Sequence, residues 1–363
     1  MLRITYLGAV VFMMATMTVK ADQVREISEA DYARVNAYLI DSHVIPRYEV
    51  LVQNASGFLT TARSFCNESE GAELSVLRDD FHKVMDAWFG IAHIQFGPIE
   101  FLMRQFRFYF WPQARGKVVD SLAEMAVSGA TGELTDSNVA VQGLLAAEAL
   151  LFNERFFGGG SENQSQNCSL LVAVAHNMEN MAIGTLEDWR DRNTAYAQFM
   201  KQPDADNPFY ENHATATLSF FQSLYNSLQF AYDINLKPVV GESIVNARPV
   251  LAESRPSARS MRNIVVTLNA LEELYGVDGN VGLGRLAART DADLDALMQK
   301  AFRITLANAR SLNVPIEVAA IDEEKRPQLE KLAKQVLAMK QIVRSRLAKA
   351  IGMTVGFNAL DGD

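Results

Sequence analysis

Glu148 is the residue of this chain best placed to do chemistry, because it ends the otherwise apolar run Gly143-Leu144-Leu145-Ala146-Ala147-Glu148. The surrounding stretch Ser137–Phe152 (SNVAVQGLLAAEALLF) has helix-forming composition, with Asp136 and Ser137 as cap candidates at its start. Leu144, Leu145, Leu151 and Phe152 lie three or four residues from Glu148 and share its stripe of the helix. An ionised carboxylate in such a stripe needs a cation, several donors or a metal, or else it takes up a proton. Glu148 is therefore either half of a buried ion pair, with Arg107 as the chosen partner, or a site residue.

A second cluster of chemically able residues is Arg104-Gln105-Phe106-Arg107-Phe108-Tyr109-Phe110-Trp111-Pro112, entered through Phe96-Gly97-Pro98-Ile99. Gly97-Pro98 should break the helix before it, and Pro112 should hold Trp111 extended. Aromatics at this density could wall a pocket, with cation–π contacts open to Arg107, or plug a core beneath a loop. His93, just ahead of the break, is the best-placed spare imidazole. Asp79, His82 and Asp86 align at i, i+3 and i+7, which suits either an oxygen/nitrogen cluster for iron or an exposed polar stripe opposite Phe81 and Trp88. His176-x-x-Glu179 reads as a solvated turn, and His43 and His213 have no partner in sequence. Catalytic motifs are absent: there is no His-Glu-x-x-His and no Gly-x-Ser-x-Gly, and Gly282-Leu283-Gly284 lacks the Lys-Ser/Thr of a phosphate loop.

The elements that must position these residues are helices. Leu74, Leu77, Phe81, Val84, Trp88 and Ile91 repeat at helical spacing. A first helix spans about 28–65, with Pro46 expected to kink it. Further helices are expected over about 117–127, 137–155, 168–200, 211–234, 257–275, 288–312 and 322–352. Strand alternation is nearly absent, so the expected fold is all-α, with up-and-down helical bundles and short loops. Gly158-Gly159-Gly160 through Asn167 reads as a surface loop, and Lys201–Pro208 (KQPDADNP) as a domain boundary. Two helical bundle domains are expected, over 22–202 and 203–363.

Residues 1–21 read as a signal peptide: Arg3, an apolar run from Ile4 to Val19, and Val19-Lys20-Ala21 before the cut. No cysteine near the cut indicates a lipid anchor, and no later segment approaches membrane-spanning length. Cleavage moves the formal charge from −9 to −11, which disfavours nucleic acid as a partner. The basic residues Lys340, Arg344, Arg346 and Lys349 are spaced as a solvated helix face. The two cysteines, Cys66 and Cys168, are an even count in an exported chain, which favours a disulfide.

Taken together, DAWFGIAHIQFGPI (86–99), RFYFWP (107–112), NVAVQGLLAAEALLF (138–152) and LAESRPSARSMRN (251–263) resemble the imelysin family, also called insulin-cleaving metalloproteinase-like proteins. The resemblance implies an all-α fold of two bundles, export to the periplasm or outer surface, and association with iron uptake. It also supports the Cys66–Cys168 bond. Many members carry Gly-x-His-x-x-Glu, whose His and Glu are proposed metal ligands. Here Gly143 and Glu148 match, but Leu145 stands at the histidine position and has no lone pair to offer. Where the family often shows Trp-Arg-Ser-Gly, this chain has Arg255-Pro256-Ser257-Ala258. The expected binding residues are Glu148, Gly143, Arg107, Trp111, His93, Ser257 and Ser260, with Glu148 the one candidate ligand for iron or another divalent metal. The expected function is a non-enzymatic binding or accessory component of iron acquisition, taking iron or a small ligand and open to envelope protein partners. The alternatives are a structural or interaction protein of the envelope, or a metallopeptidase.

Overall fold

The computed structural model describes residues 26–67, 73–112, 117–129, 134, 137–158, 164–190 and 195–353. The signal peptide over 1–21, the cap candidate Asp136 and the glycine-rich loop residues 159–163 lie outside the described residues. The chain begins with α1 (Glu29–Leu39), capped where Asp31 accepts the backbone N–H of Ser28 at 3.0 Å. A π turn, Ile40–Val44, leads into α2 (Ile45–Phe65). Pro46 thus sits in the first turn of a new helix, and the wide turn before it absorbs the missing amide where a kink was expected.

α3 (Leu74–Ile91) ends six residues before Gly97, so His93 lies in the turn that follows it. Short helices α4 (Arg104–Phe108) and α5 (Lys117–Ser128) precede α6 (Gly143–Phe152). The helix expected from Ser137 starts later: Asn138 caps a 3₁₀ turn, Val139–Val141, and Gln142 is extended before α6 begins. α6 is apolar on every face, so it is enclosed rather than laid down along one stripe. After α7 (Glu154–Phe157), α8 (Gln164–Arg190) and α9 (Tyr196–Lys201) divide the stretch expected as one helix.

The remaining chain forms α10 (His213–Phe230), a π turn over Ala231–Leu236, α11 (Lys237–Val240) and α12 (Ser260–Tyr275). α13 (Leu283–Thr290), α14 (Ala292–Leu312), α15 (Ile316–Ala319), α16 (Arg326–Ile342), a π turn over Val343–Leu347 and α17 (Ala348–Ala350) complete it. No strand occurs among the described residues, and none of their helices is long and apolar enough to cross a membrane.

α2 packs between α3 and α8, with α6 against α8. In the second half α10, α12, α14 and α16 pack on one another, and α3–α12 and α1–α10 join the halves. The apolar core runs without a break from Phe58 and Phe81 through Trp189 and Phe220 to Leu274 and Phe302. Cys66 at the end of α2 bonds Cys168 in α8, across 102 residues of sequence. Closing a loop of that length removes roughly 4–5 kcal/mol of unfolded-chain entropy in the loop-closure model. Reduction is therefore expected to lower the urea midpoint without changing the helical signal of the native state. A reduced chain as stable as the oxidised one contradicts this.

Candidate functional site

Glu148 is 5% exposed, and its Oε1 accepts the backbone N–H of Ser257 at 3.3 Å and the Ser257 hydroxyl in a very short contact. Burial dominates its acidity, and although Ser257 and Arg259 pull the other way, the pKa rises to about 7. Two sequence blocks more than a hundred residues apart therefore meet at this bond. Arg107, the expected partner, turns elsewhere: it donates to Gln142 Oε1 at 3.0 Å, Asn177 Oδ1 at 3.1 Å and the Leu102 carbonyl at 3.4 Å. Among the described residues no basic side chain forms a salt bridge with Glu148, which corrects the ion-pair expectation.

Ser257 is presented by an unusual turn. Ser254 and Ala258 both have left-handed backbones, at φ 47° and 55°, and the Arg259 N–H closes the turn on the Ser254 carbonyl at 3.0 Å. Arg259, 1% exposed, anchors it to α3 through Asp86 at 2.5 Å and the His82 carbonyl at 3.3 Å. Asn263 accepts from Arg259 Nε at 3.2 Å and donates to Ser254 Oγ at 3.1 Å.

A second carboxyl, missed in the sequence, sits on the same segment. Glu253 is 2% exposed; Asn235 donates to its Oε2 at 3.1 Å, and its Oε1 takes no hydrogen bond of ordinary geometry. Burial pushes it up to about 8, with the Glu148 charge adding to the rise. Burial and both carboxylates likewise push up the Tyr109 phenol, which lies 3.3 Å from Ser254 Oγ. The signal available in the sequence was only that Glu253 belongs to the 251–263 block.

Glu253 and Tyr109 line a cavity of about 360 Å³, walled by Trp88, Phe89, Phe110 and Trp111. Trp88 stacks on Phe108 at 4.6 Å, and Tyr109 meets Phe89 edge-on at 5.4 Å, so the wall is fixed from behind. The Trp111–Pro112 bond is cis. Leu102 and Met103, at φ 55° and 56°, turn the chain into α4, and Arg104 pins that turn to Asp188 at 2.5 Å and the Pro98 carbonyl at 3.1 Å. His93 also lines the cavity, and its Nε2 lies 2.7 Å from Nε2 of His43. The π turn before α2 supplies this partner, which the sequence did not reveal. Burial lowers both imidazole pKa values, that of His93 well below the ordinary value, so the pair is neutral.

The other expected residues serve the frame. Gly143 has φ 65°, and a Cβ there would fall 2.2 Å from the Phe108 carbonyl oxygen, so glycine lets α6 start against α4. Ser260 accepts the Ile316 N–H at 2.8 Å and donates to Glu317 at 2.5 Å, fastening α12 to α15 away from the cavity. Of the acidic trio on α3, Asp86 is bound by Arg259 and Arg262, His82 faces Arg259 at 3.1 Å, and Asp79 is exposed. His176 is exposed beside half-buried Glu179.

No group of three or more His, Cys, Asp or Glu able to hold a metal occurs among the described residues. Leu145 is buried and carries no donor atom, and the Ser257 N–H already points at Glu148 Oε1, where a cation would be repelled. The metal that the Gly-x-His-x-x-Glu resemblance implies does not fit this donor set.

A family model described as Imelysin matches residues 44–343. An imelysin-like protein from Psychrobacter arcticum 273-4 superposes with a TM-score of 0.73 at 17% identity, covering 92% of this chain and 99% of that one. A protein described as an iron-regulated protein A precursor, from Parabacteroides distasonis ATCC 8503, gives 0.73 at 16% identity, covering 90% and 98%. No curated protein matches the chain in sequence.

Two outcomes follow from the geometry. A carboxyl whose folded pKa lies above its unfolded value holds its proton longer when folded, so stability falls as pH rises through the folded pKa. Urea unfolding should thus show a contribution to stability that declines from about pH 4.5, where the unfolded carboxyls ionise, to about pH 8, and Glu148→Gln should flatten the part below about pH 7; an unchanged slope contradicts the assignment. Ala258→Gly relieves a left-handed alanine and should stabilise the fold by about 1 kcal/mol in the same assay, where a loss of stability would oppose it.

Proposed function

The chain belongs to the imelysin family, and from that premise we propose that it is an exported, non-enzymatic ligand-binding or accessory protein of iron acquisition in the bacterial periplasm. The observation carrying this reading is the aromatic cavity floored by Glu253, with Glu148–Ser257 behind it. A cavity of about 360 Å³ with convergent polar groups has the size and make-up of a small-molecule site. The iron-regulated precursor among its structural relatives supports the link to iron and to export. Residues 22–202 and 203–363 are taken as the two bundle domains, and the α3–α12 contact as the seam beside which the ligand binds.

A peptidase reading draws no support from the chemistry present. Among the described residues no imidazole bonds Glu148 and no group of three or more His, Cys, Asp or Glu could hold a metal, and the two cysteines are bonded to each other. A role as an interaction protein of the envelope has one observation in its favour. Phe101, Leu102, Met103 and Phe106 are exposed on a single ledge at the entry to α4.

Titrating the mature protein with ferrous, ferric and zinc ions is expected to reveal no micromolar site that Glu148→Ala abolishes. Cleavage of an unfolded protein substrate should be no faster than in a blank, with or without chelator. A Glu148-dependent metal site or chelator-sensitive cleavage would overturn the non-enzymatic reading. Disrupting the gene should slow growth only under iron limitation, and equal growth there contradicts the link to iron.

A further inference from the structure

Four buried polar atoms that take no hydrogen bond of ordinary geometry belong to residues lining this aromatic cavity: Trp88 Nε1, His93 Nδ1, Asn235 Oδ1 and Glu253 Oε1, the last with the Tyr109 hydroxyl and the Asn263 amide near its carboxyl. Unpaired buried polar groups are costly, so their convergence on a cavity marks the place where a ligand completes them. Their types constrain that ligand. Asn235 and Glu253 are adjacent, joined by the 3.1 Å bond from Asn235 Nδ2 to Glu253 Oε2, and each has an oxygen left over. Asn235 Oδ1 is an acceptor and Glu253 Oε1 becomes a second once the carboxyl gives up its proton, a pair that suits a group with several N–H donors.

The walls select charge as well. Trp88, Phe89, Phe106, Tyr109, Phe110 and Trp111 offer aromatic surface, whose faces attract cations. Among the described residues no lysine or arginine lines the cavity. Arg255, the cation nearest in sequence to Glu253, is exposed, and Arg259, whose charge does act on Glu253, is committed to Asp86 and Asn263. An anion would meet the Glu253 carboxyl and no basic group among the described lining residues, and the chain's acidic balance opposes it from a distance as well. On the donor side, Trp88 Nε1 offers an N–H, while His93 is held through Nε2 by His43, whose Nδ1 faces both Arg47 and Glu273.

We propose that this cavity binds a small organic ammonium ion, its nitrogen donating to Glu253 and Asn235 and its apolar body lying between the aromatic rings. The proposal rests on the ligand-binding reading above and names the chemistry of the ligand. It carries a linkage. The groups facing the Glu253 carboxyl are Tyr109, Asn235, Asn263, Arg259 and Glu148, with the neutral His93–His43 pair and Arg47 behind. In the free protein Glu253 holds its proton up to about pH 8. An arriving cation favours the carboxylate, so binding near neutral pH should expel a proton and tighten as pH rises.

Calorimetry on the mature chain with benzylammonium, benzyl alcohol and benzoate tests this, since the three probes share a ring and differ in charge. Benzylammonium is expected to bind at least about tenfold tighter than benzyl alcohol, with benzoate weakest. Repeating the titration in two buffers of different ionisation enthalpy should show net proton release, a readout that needs no variant. Glu253→Gln should abolish both the proton release and the charge preference. Phe110→Ala, at a 40% exposed position, should weaken the cation several-fold while keeping the proton release. If benzyl alcohol matches benzylammonium, the cation assignment falls and the ligand-binding reading stands. If no probe binds, both fall.

Discussion

The structure depends on one buried guanidinium. Arg259 joins α3 to the segment leading into α12, with its fork spread over Asp86, the His82 carbonyl and Asn263. A cation at 1% exposure is tolerated only because each of these acceptors meets it in good geometry. That requirement fixes the left-handed turn from Ser254 to Ala258, and the turn in turn carries Ser257 to Glu148 and Glu253 to the cavity. Because Arg259 is already shared among these groups, it neutralises neither carboxyl fully. The two acids stay buried and hold their protons at pH values where exposed carboxyls have lost them.

Leu145, one turn before Glu148, offers no donor atom, and Ser257 holds Glu148 as a hydrogen-bonding group. The polar capacity of the region shifts one side chain over, to Glu253 and Asn235, which face an aromatic cavity instead of a second ligand. Ala258, left-handed without being glycine, fits the same picture: the backbone cost of the turn is met by the anchors around it.

Much of the fold was legible in the sequence, because long amphipathic repeats such as Leu74 to Ile91 and an apolar run around Glu148 leave few alternatives to packed helices. The misjudged boundaries have local causes. The helix expected from Ser137 is delayed by Gly143 meeting the Phe108 carbonyl, and the expected kink at Pro46 is spread over a π turn. The site was half legible. A carboxylate in an apolar helix announces itself, as Glu148 did. Glu253 lies in an irregular segment without periodicity, and the His43–His93 contact spans fifty residues with no motif to link them. Arg107 goes to Gln142 and Asn177 and not to Glu148, because sequence shows which charges need partners but not which groups reach them first.

The central claim is that the site is a pair of buried, protonated acids awaiting an organic ligand, not a carboxylate cluster built around a metal. Carbon-13 NMR titration of the glutamate carboxyls in the ligand-free mature protein addresses it directly, with Glu148→Gln and Glu253→Gln used to assign the resonances. The account predicts two carboxyls titrating at about 7 and about 8, well apart from the bulk of the glutamates. Both titrating in the ordinary carboxylate range would mean that they are ionised and compensated by a cation, and would contradict it.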